Sequence, residues 1–303
     1  MSVVLFLDAN QYLNFYRLIA GKRLLDSLEE QKAYIFVSNQ IVDEVVRNKL
    51  RVATFFFSQQ FKDIRDMGVP DHLLGVGDER TTEIRKTLDQ SRKARSELIE
   101  LAGDTLSRIS RSDDEVSQRL NALFDKAVSP NADEIKRAGE RRERGNPPGK
   151  SNDPLGDQLT WEQFLTHCKR GGSNRLWIVT NDEDFGTKWE RRFFLNPLLI
   201  QDLIGACGAD VEARCFDNLA DGIADFGKNA GVTAKKQPTD QEAAEIKKEI
   251  DTLPPIGWMS AYDDATMAVI RNHQFRQGFV AALGVSAGTT PIVLSSPDAK
   301  RAP

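Results

Sequence analysis

Two aspartates in this chain directly follow buried-looking apolar runs. Asp8 closes Val3-Val4-Leu5-Phe6-Leu7, and Asp182 follows Leu176-Trp177-Ile178-Val179-Thr180-Asn181. In open parallel α/β sheets, ligands bind beyond the carboxyl ends of the strands. Two carboxylates so placed meet in space if their strands are neighbours. Glu44 lies about one and a half helical turns past a second apolar run, Tyr34-Ile35-Phe36-Val37, and so near the same rim. Asp157 falls in the first turns of a helix that follows Gly145-Asn146-Pro147-Pro148-Gly149. Converging carboxylates repel one another, and oxygen-only donors suit a hard divalent cation such as Mg²⁺ or Mn²⁺. Such a cation acidifies a bound water and stabilises the leaving oxygen of a phosphodiester. No side-chain general base is then required, which suits a chain whose three histidines, His72, His167 and His273, share no spacing.

Each carboxylate also has a structural explanation. An aspartate after a strand is commonly a turn or cap residue. Asp153 can cap a helix with Pro154 at its first position, yet it shares a face with Asp157 four residues on. Asp153 and Asp184 are therefore auxiliary candidates, each balanced between a ligand and a turn or cap role. Asn10 reads better as a helix cap than as a partner of Asp8.

The surrounding elements read β–α–β–α over the first fifty residues, with Tyr12, Phe15, Tyr16, Ile19 and Leu24 at helical spacing and Gly21 as a break. Residues 51–149 hold no convincing strand and carry apolar residues at helical intervals, so they read as a helical insertion. A strand, a helix opening at Asn196-Pro197 and a further edge strand, Val211–Phe216, follow. Alternating strands and helices mean a parallel sheet with right-handed crossovers. The expected organisation is a discontinuous core, 1–50 and 150–229, interrupted by the insertion 51–149. It is followed by 230–303: a linker, a charged helix over 241–251, a further helix over 260–283 and a loose tail.

Net charge is −4 over 303 residues, which excludes nucleic-acid binding through a global positive field. A local patch is present. Lys136, Arg137, Arg141, Arg142, Arg144 and Lys150 face only Glu140 and Glu143, a local +4 just before Asp157. Such a patch can hold phosphates, or it can be a solvated helix face with salt bridges. Lys188, Arg191 and Arg192 read equally as phosphate contacts or as a surface helix. Trp161 and Trp177 read as core. Cys168, Cys207 and Cys215 form no CxxC pair and point to reduced thiols in a cytoplasmic compartment. The five-residue apolar run at the N-terminus is too short to span a membrane.

Taken in order, LFLDAN (5–10), SNQIVDEVVR (38–47), NDPLGDQLTWE (152–162) and WIVTNDEDF (177–185) resemble the four acidic segments of the PIN-like nuclease family. The resemblance covers 1–50 and roughly 150–220. It implies a Rossmann-like α/β/α sheet, here with a helical insertion and a C-terminal extension. It implies Mg²⁺- or Mn²⁺-dependent phosphodiesterase activity, often on RNA, with Asp8, Glu44, Asp157 and Asp182 as ligands. The insertion departs from the family's compact form. Two other functions compete. A haloacid-dehalogenase-like phosphatase also starts from a strand ending in Asp, but it needs a second Asp where this chain has Asn10. A PIN-like scaffold with little catalysis would bind nucleic acid, or a protein through the insertion or the C-terminal region.

Overall fold

The computed structural model describes residues 2–62, 79–149, 155–190, 192–232, 235–254 and 256. The chain forms two compact units. One contains residues 1–63 and 108–261, the other 64–107 and 262–303. Residues 108–149, expected in the insertion, and 230–261, expected in the extension, therefore share a unit with the sheet. The helix expected over 260–283 lies outside the described residues. In the second unit the described residues belong to one helix, α4 (Glu79–Arg111), whose last four residues count with the first unit.

The first unit opens with β1 (Ser2–Leu7), whose last four residues are buried. Asp8 ends the strand and caps α1 (Ala9–Leu13), its Oδ1 accepting from the Ala9 amide at 2.8 Å. A 3₁₀ turn, Asn14–Tyr16, and α2 (Lys22–Glu30) follow. The stretch from Tyr12 to Leu24 is thus broken rather than one helix, and Ile19 is 79% exposed between the pieces. Then come β2 (Ile35–Phe36) and α3 (Asn39–Lys62). The Ser38 hydroxyl accepts from the Ile41 amide at 3.2 Å, which fixes where α3 starts. After α4 come α5 (Glu115–Phe124), α6 (Ala132–Glu143), α7 (Gly156–Gly171) and β3 (Ser173–Val179). Gly172, in the left-handed region at φ 59°, ends α7 where a side chain would be strained.

The rest comprises β4 (Gly186–Trp189), β5 (Arg192–Leu195), α8 (Pro197–Cys207), β6 (Glu212–Phe216), α9 (Leu219–Asn229) and α10 (Asp240–Thr252). The parallel sheet has the order β2-β1-β3-β6. β4 and β5 form a separate antiparallel hairpin where a surface helix was one expectation. There Lys188 pairs with Asp217, and Arg192 lies over the Phe194 ring. Arg191 lies outside the described residues.

Register explains the layers. Leu5 pairs with Trp177 and Phe6 with Ile178, so Phe6 and Trp177 point to opposite faces. Phe6 packs on Phe164 of α7, with centroids 5.0 Å apart; Trp177 meets Phe226 of α9 at 5.1 Å. Helices α7 and α9 therefore cover opposite faces of an α/β/α core. Trp161 and Trp177 are fully buried, and their indole N–H groups reach Asp202 and Asp225. No helix among the described residues is long and apolar enough to cross a membrane. Cys168, Cys207 and Cys215 are free thiols.

Candidate metal and nucleic-acid site

The rim of the sheet is set by β1 and β3, which end level with each other. Leu7 pairs with Val179, and the Asp8 amide donates to the Val179 carbonyl at 3.1 Å. Asp8 is 7% exposed, and among the described residues every hydrogen bond to its carboxylate comes from a neutral donor. Besides Ala9, these are the Thr180 hydroxyl at 3.3 Å and, at 3.5 Å, the Asn10 amide. Asp8 is itself the cap of α1, and Asn10 is its partner rather than the cap. Thr180 also accepts from the Asp182 amide at 3.1 Å, so one buried hydroxyl ties Asp8 to the loop bearing Asp182. Within that loop, the Asp184 amide donates to Asp182 Oδ1 at 2.9 Å.

The other two carboxylates arrive on helices. Glu44 sits on the second turn of α3 and Asp157 on the first turn of α7. These helix starts approach closely: a Cβ on Gly156 would lie 2.7 Å from the Gln40 side-chain nitrogen. Asp157 thus lies one residue from the contact between α7 and the helix bearing Glu44.

Electrostatics show the convergence. Burial pushes the Asp8 carboxyl well above the usual carboxylate range, and the charges of Asp157, Glu44 and Asp182, in that order, push it further. Glu44 is also raised, first by burial and then by Asp182, while Arg47 opposes the rise. Burial and the Asp8 charge together raise the phenol of Tyr12, which is fully buried. The structure thus brings the charges of Asp157, Glu44 and Asp182 to bear on Asp8. Among the described residues, no three His, Cys, Asp or Glu side chains stand close enough to form a ready-made metal cage. An all-oxygen set that raises the cost of its own ionisation still has the chemistry of a hard-cation site. Asp153 lies outside the described residues.

The basic segment divides. Arg141 is 8% exposed and donates to Glu162, to Asp202 and to the Pro147 carbonyl. Arg137 donates to the other Glu162 oxygen at 2.7 Å and to Thr166. These two arginines hold α6 against α7. Lys136 and Arg144 are exposed, Arg142 is partly so, and Lys150 lies outside the described residues. Thr180 and Gln11 are polar residues of the rim that sequence reasoning did not single out. Only their place beside Asp182 and Asp8 could have drawn attention to them.

A family model described as PIN domain matches residues 5–185, more than half of the chain, and the chain belongs to that family. Its fold is of the nuclease type, and PIN-domain nucleases typically use divalent metals. All four carboxylates fall within the matched span. No curated protein and no solved structure matches the chain.

Proposed function

We propose that this protein is an Mg²⁺- or Mn²⁺-dependent nuclease that hydrolyses phosphodiester bonds, with RNA favoured over DNA. Asp8, Glu44, Asp157 and Asp182 would hold the cation, with Asp184 and Asp153 as auxiliary candidates. The observation carrying this reading is Asp8: a buried carboxylate answered by no cation among the described residues and raised by three other carboxylates. Burying a charge against like charges is unfavourable unless something positive joins them. The bound metal supplies an acidified water and charge neutralisation at the phosphate.

The chain's own groups do the rest. Thr180, Asn10 and the Ala9 amide orient the Asp8 oxygens. Exposed Lys136, Arg142 and Arg144 offer positive charge for flanking phosphates, which position the strand without reading its sequence. The RNA preference rests on the family resemblance alone.

The test is cleavage of labelled single-stranded RNA and DNA with Mn²⁺, Mg²⁺ or EDTA, for wild type beside Asp8→Asn. Metal-dependent cutting that is lost in the variant supports the nuclease and identifies its substrate. Equal cutting by both proteins sinks the site. If neither protein cuts, the family scaffold serves binding rather than catalysis.

A further inference from the structure

The family match ends at residue 185, yet a chain of side-chain hydrogen bonds, buried except at exposed Asn181, runs from the candidate site to a part of the protein beyond it. At the rim, Asn181, next to Asp182, accepts through Oδ1 from the Gln11 amide at 3.3 Å. Gln11 Oε1 accepts from the Asn14 amide at 3.4 Å. Asn14 Oδ1 accepts twice from Arg17, at 3.0 and 2.7 Å. Arg17 then donates to the Pro254 carbonyl at 2.5 Å, just past α10. Gln11 and Asn14 are each 1% exposed and Arg17 is 3% exposed.

Arg17 is an unusual core residue. Its guanidinium has no carboxylate partner among the described residues, and burial pulls its pKa down to about 10. The carboxylates of the rim do not account for that shift, so Arg17 is not there to neutralise them. A buried guanidinium is costly, and it is retained where its planar fork fixes geometry. Here it fixes the orientation of Asn14, whose remaining amide fixes Gln11. The same turn is tied to α10 a second time, because the Ile19 and Ala20 amides both donate to the Glu249 carboxylate.

We propose that Gln11, Asn14 and Arg17 are positioning residues that couple the C-terminal segment around Pro254 to the Asp182 loop. Docking of α10 then helps set the geometry of the candidate metal site. The link to metal rests on the nuclease reading; the mechanical coupling does not. The relay makes the C-terminal segment a place from which a ligand or modification could tune the site at a distance.

A hydrogen-exchange cycle on the full-length protein tests the coupling without metal or substrate. Arg17→Gln, Asn181→Ala and the double variant are compared at the amides of Asp182, Asp184 and Phe185, with Gln11→Ala as a second way to cut the chain. Each single variant is expected to speed exchange there by roughly tenfold, and the double variant no further, because one cut already breaks the relay. Gln11→Ala gives the same result should Arg17→Gln fold poorly. Additive effects, or unchanged exchange at 182–185 in Gln11→Ala, would overturn the proposal. In wild type and Gln11→Ala, cleavage is then read against Mn²⁺ concentration. The half-saturating metal should rise by roughly tenfold, the scale of losing a ligand-orienting contact. The KM for RNA should hold, and excess Mn²⁺ should restore the rate. A fall in rate that excess metal does not restore marks a merely structural role and also overturns the positioning assignment. If wild type cleaves nothing, the nuclease reading fails and the exchange cycle still decides the relay.

Discussion

Asp8 and Glu162 are both buried carboxylates, 7% and 5% exposed, and they are compensated in opposite ways. Glu162 is held by two arginines, Arg137 at 2.7 Å and Arg141 at 2.7 Å, and Arg141 reaches on to Asp202. Among the described residues Asp8 has only neutral donors and three carboxylates around it. A carboxylate buried for structure is compensated within the chain, as Glu162 is. One left facing others of its own sign keeps an electrostatic deficit that an external cation can relieve. This difference separates the two carboxylates although they are buried to the same degree.

The sharpest way to break the comparison is to neutralise each carboxylate in turn. Asp8→Asn should lower metal-dependent cleavage by at least about a hundredfold, the scale of losing a preorganised transition-state contact. In EDTA near neutral pH it should melt above wild type, because the amide oxygen still accepts from Ala9 and relief of the repulsion outweighs the weaker bonds from Asn10 and Thr180 that an amide NH2 cannot accept. Glu162→Ala should do the reverse. It leaves the buried Arg141 with only Asp202 and the Pro147 carbonyl among the described residues and should lower stability by about 3 kcal/mol, read by denaturant unfolding, while cleavage per folded molecule changes little. A destabilised, metal-insensitive Asp8→Asn would place Asp8 with Glu162 as a structural residue.

The pH dependence sharpens the same contrast. The Asp8 pKa is raised on folding, so its contribution to stability is fully present below its unfolded value, about 3.9, and is lost as pH rises through the folded value. Glu44 shifts in the same direction. Metal-free wild type should therefore lose stability, relative to Asp8→Asn, as pH climbs from about 4 through the folded pKa. Urea midpoints measured across that range in EDTA check this, and saturating Mn²⁺ should remove the difference in slope. Parallel curves for the two proteins would mean that Asp8 is not under the strain its neighbours imply.

Much of this was legible before the fold. Val3–Leu7 and Leu176–Val179 are continuous apolar runs, which strands buried on both faces require, and an aspartate after such a run sits at the rim. The β4–β5 hairpin was not legible, because Lys188, Trp189 and Arg192 give it no alternating pattern and Trp189 stays exposed. Nothing in the local pattern singles out Arg17; its burial depends on Asn14 and on Pro254, 237 positions away. The segment after residue 230 looks like a linker and a charged helix. Yet α10 packs on α9, its Ile246 is buried, and Asp251 accepts from Asn218, the cap of α9. Those contacts are non-local, so periodicity cannot reveal them.

The smallest expected effect concerns the basic helix, where the same division between paired and unanswered charge recurs along one element. Arg137 and Arg141 are taken up by Glu162 on α7, a partner too far along the chain for local charge patterning to reveal. Lys136, Arg142 and Arg144 share the helix or its cap but make no such bonds to Glu162. If these three serve nucleic acid, replacing each by Gln should weaken substrate binding by a similar small factor for every sequence. Each replacement should also reduce the salt slope of log K by about 1. Fluorescence anisotropy with Ca²⁺ in place of Mn²⁺, over a range of salt, reads this directly. A salt slope unchanged in the triple variant would move the phosphate contacts off α6 and leave that helix a wholly structural part, held to α7 by the ion pairs of Glu162.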